Sequence, residues 1–248
     1  TILLMSLLAK KSFCSWLCPV GTLSEGAYKL GARLFGRSFQ IWRWLDMSLR
    51  GVKYLLLLFF EKVILPDMPS AAVGRFLDEP YWAASDIKML YFFTGMSTTT
   101  IIVLSVLTVL SLIYKNFWCR YLCPYGALLG LASLVSPFKI RRDVSACTGC
   151  KACSDACPSG LAVHVSTAVS SPECTGCLNC VAICPEKNVL AMQPVFWKQP
   201  LPVWVYPTVV VCIFMAGIST GMANGHWYSS LSYADYQLLL PLVPYLSH

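Results

Sequence analysis

The sequence predicts an α-helical membrane protein, with three visible membrane spans plus a truncated N-terminal one, that also carries a small α+β domain. Three observations predict this fold class. Hydrophobic residues make up 56% of the 248 residues and charged residues only 12%, against roughly 25% charged in a typical soluble domain. Long apolar stretches recur along the chain. One cysteine pattern also occurs twice between residues 147 and 185.

Four apolar stretches support the membrane prediction. The first is too short to cross a bilayer, because a span needs about 20 residues, and we interpret it as the inner end of a helix. The second is a weak span that is short and contains Glu61 and Lys62 near its end, whereas the third and fourth contain no charged residue. In chain order these stretches are residues 1–9, 51–66, 94–114 and 201–220.

The distribution of positive charge predicts the orientation of these spans. Segments 10–53 and 115–200 each hold eight Lys or Arg residues, whereas 67–97 holds two against four acidic residues. Loops rich in Lys and Arg stay in the cytoplasm. We therefore expect a multi-pass protein of the bacterial inner membrane, with 10–53 and 115–200 inside and 67–97 and 221–248 in the periplasm.

Eight of the thirteen cysteines form two copies of the pattern Cys-x2-Cys-x2-Cys-x3-Cys-Pro. This is the spacing of bacterial two-cluster ferredoxins, in which the fourth cysteine of each run binds the other cluster. The pattern therefore predicts two 4Fe–4S clusters with crossed ligands. The first cluster is expected to bind Cys147, Cys150, Cys153 and Cys184, and the second Cys174, Cys177, Cys180 and Cys157.

Two other interpretations of these cysteines are weaker. Zinc sites use two separated Cys-x2-Cys pairs, which leaves the third cysteine and the Cys-Pro ending of both runs unexplained. Disulfide frameworks are typical of small secreted domains, and this chain is long and strongly apolar. We expect a dicluster ferredoxin-like domain at 138–193, on the reducing cytoplasmic face. A membrane domain at 1–137 would precede it, and a C-terminal helix with a periplasmic tail at 194–248 would follow.

A second cysteine pattern is repeated outside this domain. Residues 13–23 and 118–128 share the pattern aromatic-Cys-x-aromatic-Leu-Cys-Pro-x-Gly-x-Leu. Each copy follows the cytoplasmic end of an apolar stretch. Side chains four residues apart lie on one face of a helix, so the two pairs together can supply four thiolates. The cysteines in question are Cys14, Cys18, Cys119 and Cys123.

Three interpretations of these four cysteines are open. They are ligands of a third 4Fe–4S cluster, or redox-active thiols that form disulfides or bind copper, or buried small hydrophobic residues. Their repetition beside proline and aromatic residues argues against the last. Two other residues have simpler expectations: Cys212, alone inside a span, is expected to serve packing, and the isolated His164 to be a surface residue.

As a set, these motifs resemble the NapH/NosR/CcoG-type membrane iron–sulfur proteins, also called polyferredoxins. The resemblance covers residues 1–195 and rests on two Cys-x3-Cys-Pro motifs followed by the dicluster motif. It implies a protein that passes electrons between the quinone pool, or a cytoplasmic donor, and enzymes on the periplasmic side. Relatives of this kind also serve as maturation or regulatory factors, and the CcoG-like branch is associated with copper reduction.

The main hypothesis is a membrane-bound electron-transfer subunit that relays electrons between the quinone pool or a cytoplasmic donor and a partner oxidoreductase. The alternatives are an assembly or copper-reducing factor that uses the Cys-x3-Cys-Pro thiols, and a membrane anchor with structural clusters. Neither a substrate-converting group of residues nor a nucleic-acid surface stands out, although the net charge is +7. A quinone contact near His226, Trp227 and Tyr228 is a further candidate, but membrane-interface aromatics would explain the last two.

Overall fold

The computed structural model describes residues 1–36, 39, 41–66, 68–69, 72–74, 85–186, 188–196, 199–225, 227 and 232–241. These residues belong to two compact units. The first comprises residues 1–57 and 107–217, and the second residues 58–106 and 218–248. The twelve candidate cysteines of the two patterns all lie in the first unit.

The described residues up to 132 form mainly helices. The helices are α1 (Ile2–Leu8), α2 (Ser12–Trp16), α3 (Pro19–Phe35), α4 (Arg43–Ile64), α5 (Ser85–Thr94), α6 (Thr98–Ile113), a π-helix (Trp118–Leu122) and α7 (Pro124–Ala132). Both α3 and α7 begin with proline. Proline favours this position because its fixed φ suits the first helical turn and its missing N–H would have no partner there.

A three-stranded antiparallel sheet follows, in the order β2-β1-β3. The strands are β1 (Phe138–Arg142), β2 (Ala168–Val169) and β3 (Leu190–Pro194). Ile140 pairs with Val169 on one side and with Met192 on the other, and all three side chains are buried. Between the strands lie α8 (Ala152–Asp155), a 3-10 helix (Val163–Val165) and α9 (Asn179–Ala182). This arrangement is consistent with the predicted small α+β domain.

The last helices are α10 (Val205–Ala223) and α11 (Tyr233–Leu239). The first turn of α10 joins the core of the first unit through Tyr206, which is 1% exposed and donates a hydrogen bond to the Ala9 carbonyl. Its ring packs edge-on against Phe138 of β1. The core therefore lies between α1, the sheet and the start of α10.

The prediction of three spans plus a truncated one is wrong. Among the described residues, α10 alone is long and apolar enough to cross a membrane, and the count rises to two only if α5 and α6 are taken as one bent span. The stretch 94–114, expected to be one span, is broken between Thr94 and Thr98, where the two helices bend by 81°. Helix α6 has 16 residues, which at 1.5 Å per residue is about 24 Å, short of the roughly 30 Å hydrocarbon core.

The expected span 51–66 fails for a different reason. It belongs to α4, whose 22 residues include charged side chains at Asp46, Arg50, Lys53, Glu61 and Lys62. The first three of these contact protein groups in the first unit, as described below. The packing expected for Cys212 in α10 is also wrong, because this side chain is exposed.

Candidate metal centres

The two dicluster cysteine loops have matching backbones. Each contains the tetrapeptide Cys-Thr-Gly-Cys, with positive φ at Gly149 and Gly176, of 72° and 65°. Two residues after each glycine, Lys151 and Leu178 also have positive φ, of 62° and 63°, and each precedes a short helix. Left-handed residues in such loops turn successive N–H groups toward a common point, as in many Fe–S sites.

These loops divide the eight cysteines between two cavities. Among the residues that the structure describes, no three His, Cys, Asp or Glu side chains lie close enough to hold a single metal ion; each group of four thiols instead lines a small cavity. The first cavity is lined by Cys147, Cys150, Cys153 and Cys184, and the second by Cys157, Cys174, Cys177 and Cys180. This is the crossed combination expected from the spacing, and four thiols per cavity fit the ligand set of a 4Fe–4S cluster. The ligand role of each cysteine stays a prediction.

Burial affects the acidity of these thiols. It raises the pKa of Cys153, Cys174 and Cys180, and it raises the pKa of Cys177 to about 11. The exception is Cys147, whose pKa is lowered by the Gly149 backbone N–H and by Arg142. Thiolates rather than thiols bind metals, so metal binding at these sites must release protons.

The two Cys-x3-Cys-Pro motifs form a structural repeat as well as a sequence repeat. In each copy the first cysteine lies within a short helix: Cys14 is in α2 and Cys119 in the π-helix. The second cysteine, Cys18 or Cys123, caps the next helix with φ and ψ of −72° and 117° or −73° and 106°. The Sγ atom of Cys123 accepts a hydrogen bond of 3.2 Å from the Gly126 N–H.

The structure brings these four thiols into one group. Burial, together with the nearby thiols of Cys18 and Cys123, raises the pKa of Cys14 to about 11. Burial likewise raises the pKa of Cys119 to about 12, with contributions from all three other cysteines. Cys14 and Cys119 also line one cavity of about 270 Å³, which reaches Pro158 and Glu173 of the dicluster loops. All thirteen cysteines are free thiols in the structure, so none of them forms a disulfide.

Beside these thiols lies a buried ion pair that the sequence analysis missed. The ammonium of Lys53, which is 0% exposed, donates to the carboxylate of Glu173, the residue before Cys174. Tyr54 donates a second hydrogen bond to this carboxylate, at 2.9 Å. Burial alone would raise the pKa of Glu173, but Lys11, Lys53 and Tyr54 outweigh burial and hold it below its ordinary value. The sequence signal that could have indicated this ion pair was the charged residues of α4, which we interpreted above as part of a loop and a weak span.

A second buried group connects α4 to the cysteine-bearing π-helix. Asp46 pairs with Arg50 one turn later and with Arg120 at 2.7 Å, and it accepts a hydrogen bond from Tyr121. Burial would raise the pKa of Asp46, but these three donors together hold it below its ordinary value. Arg50 also donates to the Ser159 carbonyl at 3.2 Å, beside the first Cys-Pro ending. Asp46 therefore fixes the turn that carries Cys119.

The structure describes His164, expected to be a surface residue, but only one of the three residues of the candidate quinone contact. His164 is more than a surface residue: its Nδ1 lies 2.8 Å from the Ser154 hydroxyl, and it lines the cavity of the first cysteine group. The quinone candidates His226 and Tyr228 lie outside the described residues, whereas Trp227 is described and half exposed.

Comparisons with known proteins find iron–sulfur family models over the segments that contain both cysteine patterns. A family model described as "4Fe-4S binding domain" matches residues 1–38 and 96–143, which include both Cys-x3-Cys-Pro motifs. A second, described as "4Fe-4S dicluster domain", matches residues 139–185. No solved structure matches the chain.

Three curated relatives illustrate the family. The "Putative electron transport protein YccM" of Escherichia coli is 46% identical over 99% of this chain and 70% of its own length. The "Ferredoxin-type protein NapH" of Haemophilus influenzae is 29% identical over 63% of this chain and 50% of its own. The "Regulatory protein NosR" of Pseudomonas aeruginosa is 27% identical over 58% of this chain and 20% of its own. The family prediction is confirmed, and the chain binds iron–sulfur clusters: it belongs to the NapH/NosR-type iron–sulfur electron-transport proteins.

Proposed function

We propose that the chain is a membrane-bound electron-transfer subunit that relays electrons between a cytoplasmic donor or the quinone pool and a partner oxidoreductase. Catalysis takes place in the partner. The observation that carries the proposal is the division of eight cysteines into two cavities in the crossed combination. A bound 4Fe–4S cluster exchanges single electrons at a potential set by its surroundings. The names of the relatives, an electron transport protein and a ferredoxin-type protein, support this role.

The two clusters are held as the spacing predicts, the first by Cys147, Cys150, Cys153 and Cys184 and the second by Cys157, Cys174, Cys177 and Cys180. The crossed fourth ligands tie the two loops together. Cys157 and Cys184, which supply these ligands, each stand before a proline at the end of their own run. A relay between two neighbouring centres follows from this arrangement.

A third 4Fe–4S cluster is bound by Cys14, Cys18, Cys119 and Cys123. The mutual influence of these thiols and the 4Fe–4S family match over both motifs support this assignment. Burial raises the pKa of Cys14 to about 11 and of Cys119 to about 12, so their thiolate forms need a positive partner, which the iron of a bound cluster would supply. The cavity shared with Glu173 and Pro158 makes this group the neighbour of the second dicluster cavity.

The chain is held at the inner membrane by α10, with its cysteine centres on the cytoplasmic side. Helix α10 is the candidate span, and its first turn is attached to the cluster-bearing core through Tyr206. The cytoplasm keeps thiols reduced, which cluster assembly requires. The partner is another subunit of a redox complex.

Ligand variants test the wiring. Iron and sulfide analysis of the purified protein should give about eight irons per chain for two clusters and about twelve for three, since each cubane has four. The residual EPR spectrum of Cys157→Ser should match that of Cys177→Ser and differ from that of Cys150→Ser. Cys212→Ser, a cysteine outside every group, is the matched control and should keep all clusters. A Cys157→Ser spectrum that matches Cys150→Ser would disprove the crossed wiring.

Thiol labelling tests the membrane placement. Val165 is 66% exposed on the cluster-bearing side and Trp227, 49% exposed, follows α10. In spheroplasts, a membrane-impermeant maleimide should label Trp227→Cys directly and Val165→Cys only after lysis. Labelling of Val165→Cys in intact spheroplasts would place the clusters outside and contradict the proposal.

A further inference from the structure

Two consecutive lysines between α1 and α2 are buried within the first unit. Lys10 is 1% exposed and Lys11 3% exposed. Lys10 has a left-handed backbone, with φ of 57°, and its ammonium donates a hydrogen bond of 3.1 Å to the Val169 carbonyl in the sheet. Lys11 instead lines the 270 Å³ cavity together with Cys14 and Cys119.

The ammonium of Lys11 faces both Cys-x3-Cys-Pro motifs. It precedes Cys14 by three residues in sequence. A Cβ atom built on Gly126 would lie 3.5 Å from the Lys11 Nζ and 3.5 Å from the Cys123 Sγ. The Lys11 ammonium and the Cys123 sulfur therefore lie on the same side of Gly126, which has no side chain to separate them. Lys11 also lowers the pKa of both Cys14 and Cys119, which means that it favours their thiolate forms.

Lys11 has no counter-charge of its own among the residues that the structure describes. Its ammonium makes neither a salt bridge nor a hydrogen bond with them. The acid whose pKa it influences is Glu173, and that carboxylate is already bound by Lys53 and Tyr54. The buried ammonium groups of Lys11 and Lys53 thus share the single carboxylate of Glu173. One positive charge remains uncompensated beside the Cys-x3-Cys-Pro thiols. An uncompensated buried cation is costly, so an anionic group is expected in this place.

We propose that Lys11 is the counter-charge of the centre bound by Cys14, Cys18, Cys119 and Cys123, and that it raises the reduction potential of this centre. The inference rests on the third cluster proposed above. When one electron from a donor reduces the centre, no bond forms or breaks and the negative charge of the centre increases by one. A fixed cation beside it stabilises the reduced form more than the oxidised form. Lys11 is not a ligand of the centre: it acts on the centre only through its positive charge.

A redox titration of the intact protein, followed by EPR, tests the proposal. The signal of the third centre is identified as the one lost in Cys119→Ser. In Lys11→Met the ratio of reduced to oxidised centre at a fixed potential should fall about tenfold or more, which is a midpoint lowered by ~59 mV for each factor of ten. Lys11→Arg keeps the charge and should retain the wild-type midpoint. Lys29→Met is the matched control, because Lys29 lines the same cavity but is 68% exposed and paired with Glu25.

Iron analysis separates failure of this inference from failure of the proposed function. About twelve irons per chain with an unshifted Lys11→Met midpoint would overturn the role of Lys11 and leave the third cluster standing. About eight irons in the wild type would overturn both. Selective loss of the third signal in Lys11→Met, with the dicluster signals intact and Lys11→Arg fully loaded, would support the counter-charge. Loss of all signals in both Lys11 variants would overturn it, since charge could not then be the reason.

Discussion

Replacing Glu173 by glutamine should destabilise the protein severely, because it leaves the buried ammonium of Lys53 without its anion. The side chains of Lys53 and Glu173 are 0% and 8% exposed, so solvent cannot replace the lost partner. Removing one member of a buried ion pair costs about 3–5 kcal/mol. In a chain of this size 1 kcal/mol corresponds to roughly 2–4 °C in Tm, so the expected decrease is about 6–20 °C.

The assay is thermal unfolding of purified, cluster-loaded protein in detergent, at one scan rate for all variants. Glu25→Gln is the matched control, since Glu25 pairs at 2.9 Å with Lys29, whose side chain is 68% exposed. An exposed pair of this kind contributes about 0.3–0.5 kcal/mol, so its Tm should change by no more than ~2 °C. The Lys53→Met/Glu173→Gln double variant should lose less than the sum of the two single variants, because the second change removes the stranded charge.

Equal melting temperatures for Glu173→Gln and Glu25→Gln would refute the reasoning. Iron content must be measured in parallel, because Glu173 precedes Cys174 and a lost cluster would also lower the Tm. A decrease in Tm at full iron content is the result that assigns the effect to the ion pair.

Three further predictions follow from the cysteine sites. Gly21→Ala should lose iron from the Cys-x3-Cys-Pro centre, because the added Cβ atom would lie 2.3 Å from the Cys14 carbonyl oxygen. Gly126→Ala is its control: the nearest atoms to the added Cβ atom lie at 3.5 Å, so chemical analysis should find full iron content. In metal-free protein at pH 8, mass spectrometry should find Cys14 alkylated about tenfold more slowly than a thiol of ordinary pKa 9.0. Burial raises the pKa of Cys14 to about 11, which makes its thiolate about a hundredfold scarcer, and the greater nucleophilicity of the more basic thiolate recovers about a factor of ten. The rate should rise about tenfold per pH unit up to about pH 11. Cys147, whose pKa is lowered, should react first, and equal rates would contradict this. Removing iron with a chelator should lower the Tm, because metal binding to thiolates contributes directly to folding; an unchanged Tm would show that the clusters do not stabilise the fold.

Motif spacing and the local backbone were predictable from sequence. The two Cys-x3-Cys-Pro motifs together with the doubled Cys-x2-Cys-x2-Cys-x3-Cys-Pro run predicted the family. The grouping of Cys157 with Cys174 and of Cys184 with Cys147 agrees with the crossed pattern of that run. The repeat of Cys-x3-Cys-Pro also appears as a repeat of helix caps. Such features are determined by a few neighbouring residues, since proline, glycine and ligand spacing act on the chain locally.

The number of spans was not predictable in this way. Apolar composition suggested a continuous span at 94–114, but the break between Thr94 and Thr98 leaves two shorter helices. We interpreted the charged residues of α4 as part of a cytoplasmic loop and a weak span, whereas Asp46 and Lys53 are buried against segments distant in sequence. Hydropathy averages over a window and does not contain these contacts.

The sequence by itself therefore determined which family the chain belongs to and predicted which cysteines bind its clusters, because both depend on the short-range spacing of the motifs. Only the tertiary structure decided which charges surround the cysteine centres. Lys11 lies between the two Cys-x3-Cys-Pro motifs, and Lys53 meets Glu173, because residues far apart in sequence pack together. The energy of a charge depends on its burial and on its partners, and both arise from contacts that no local pattern encodes.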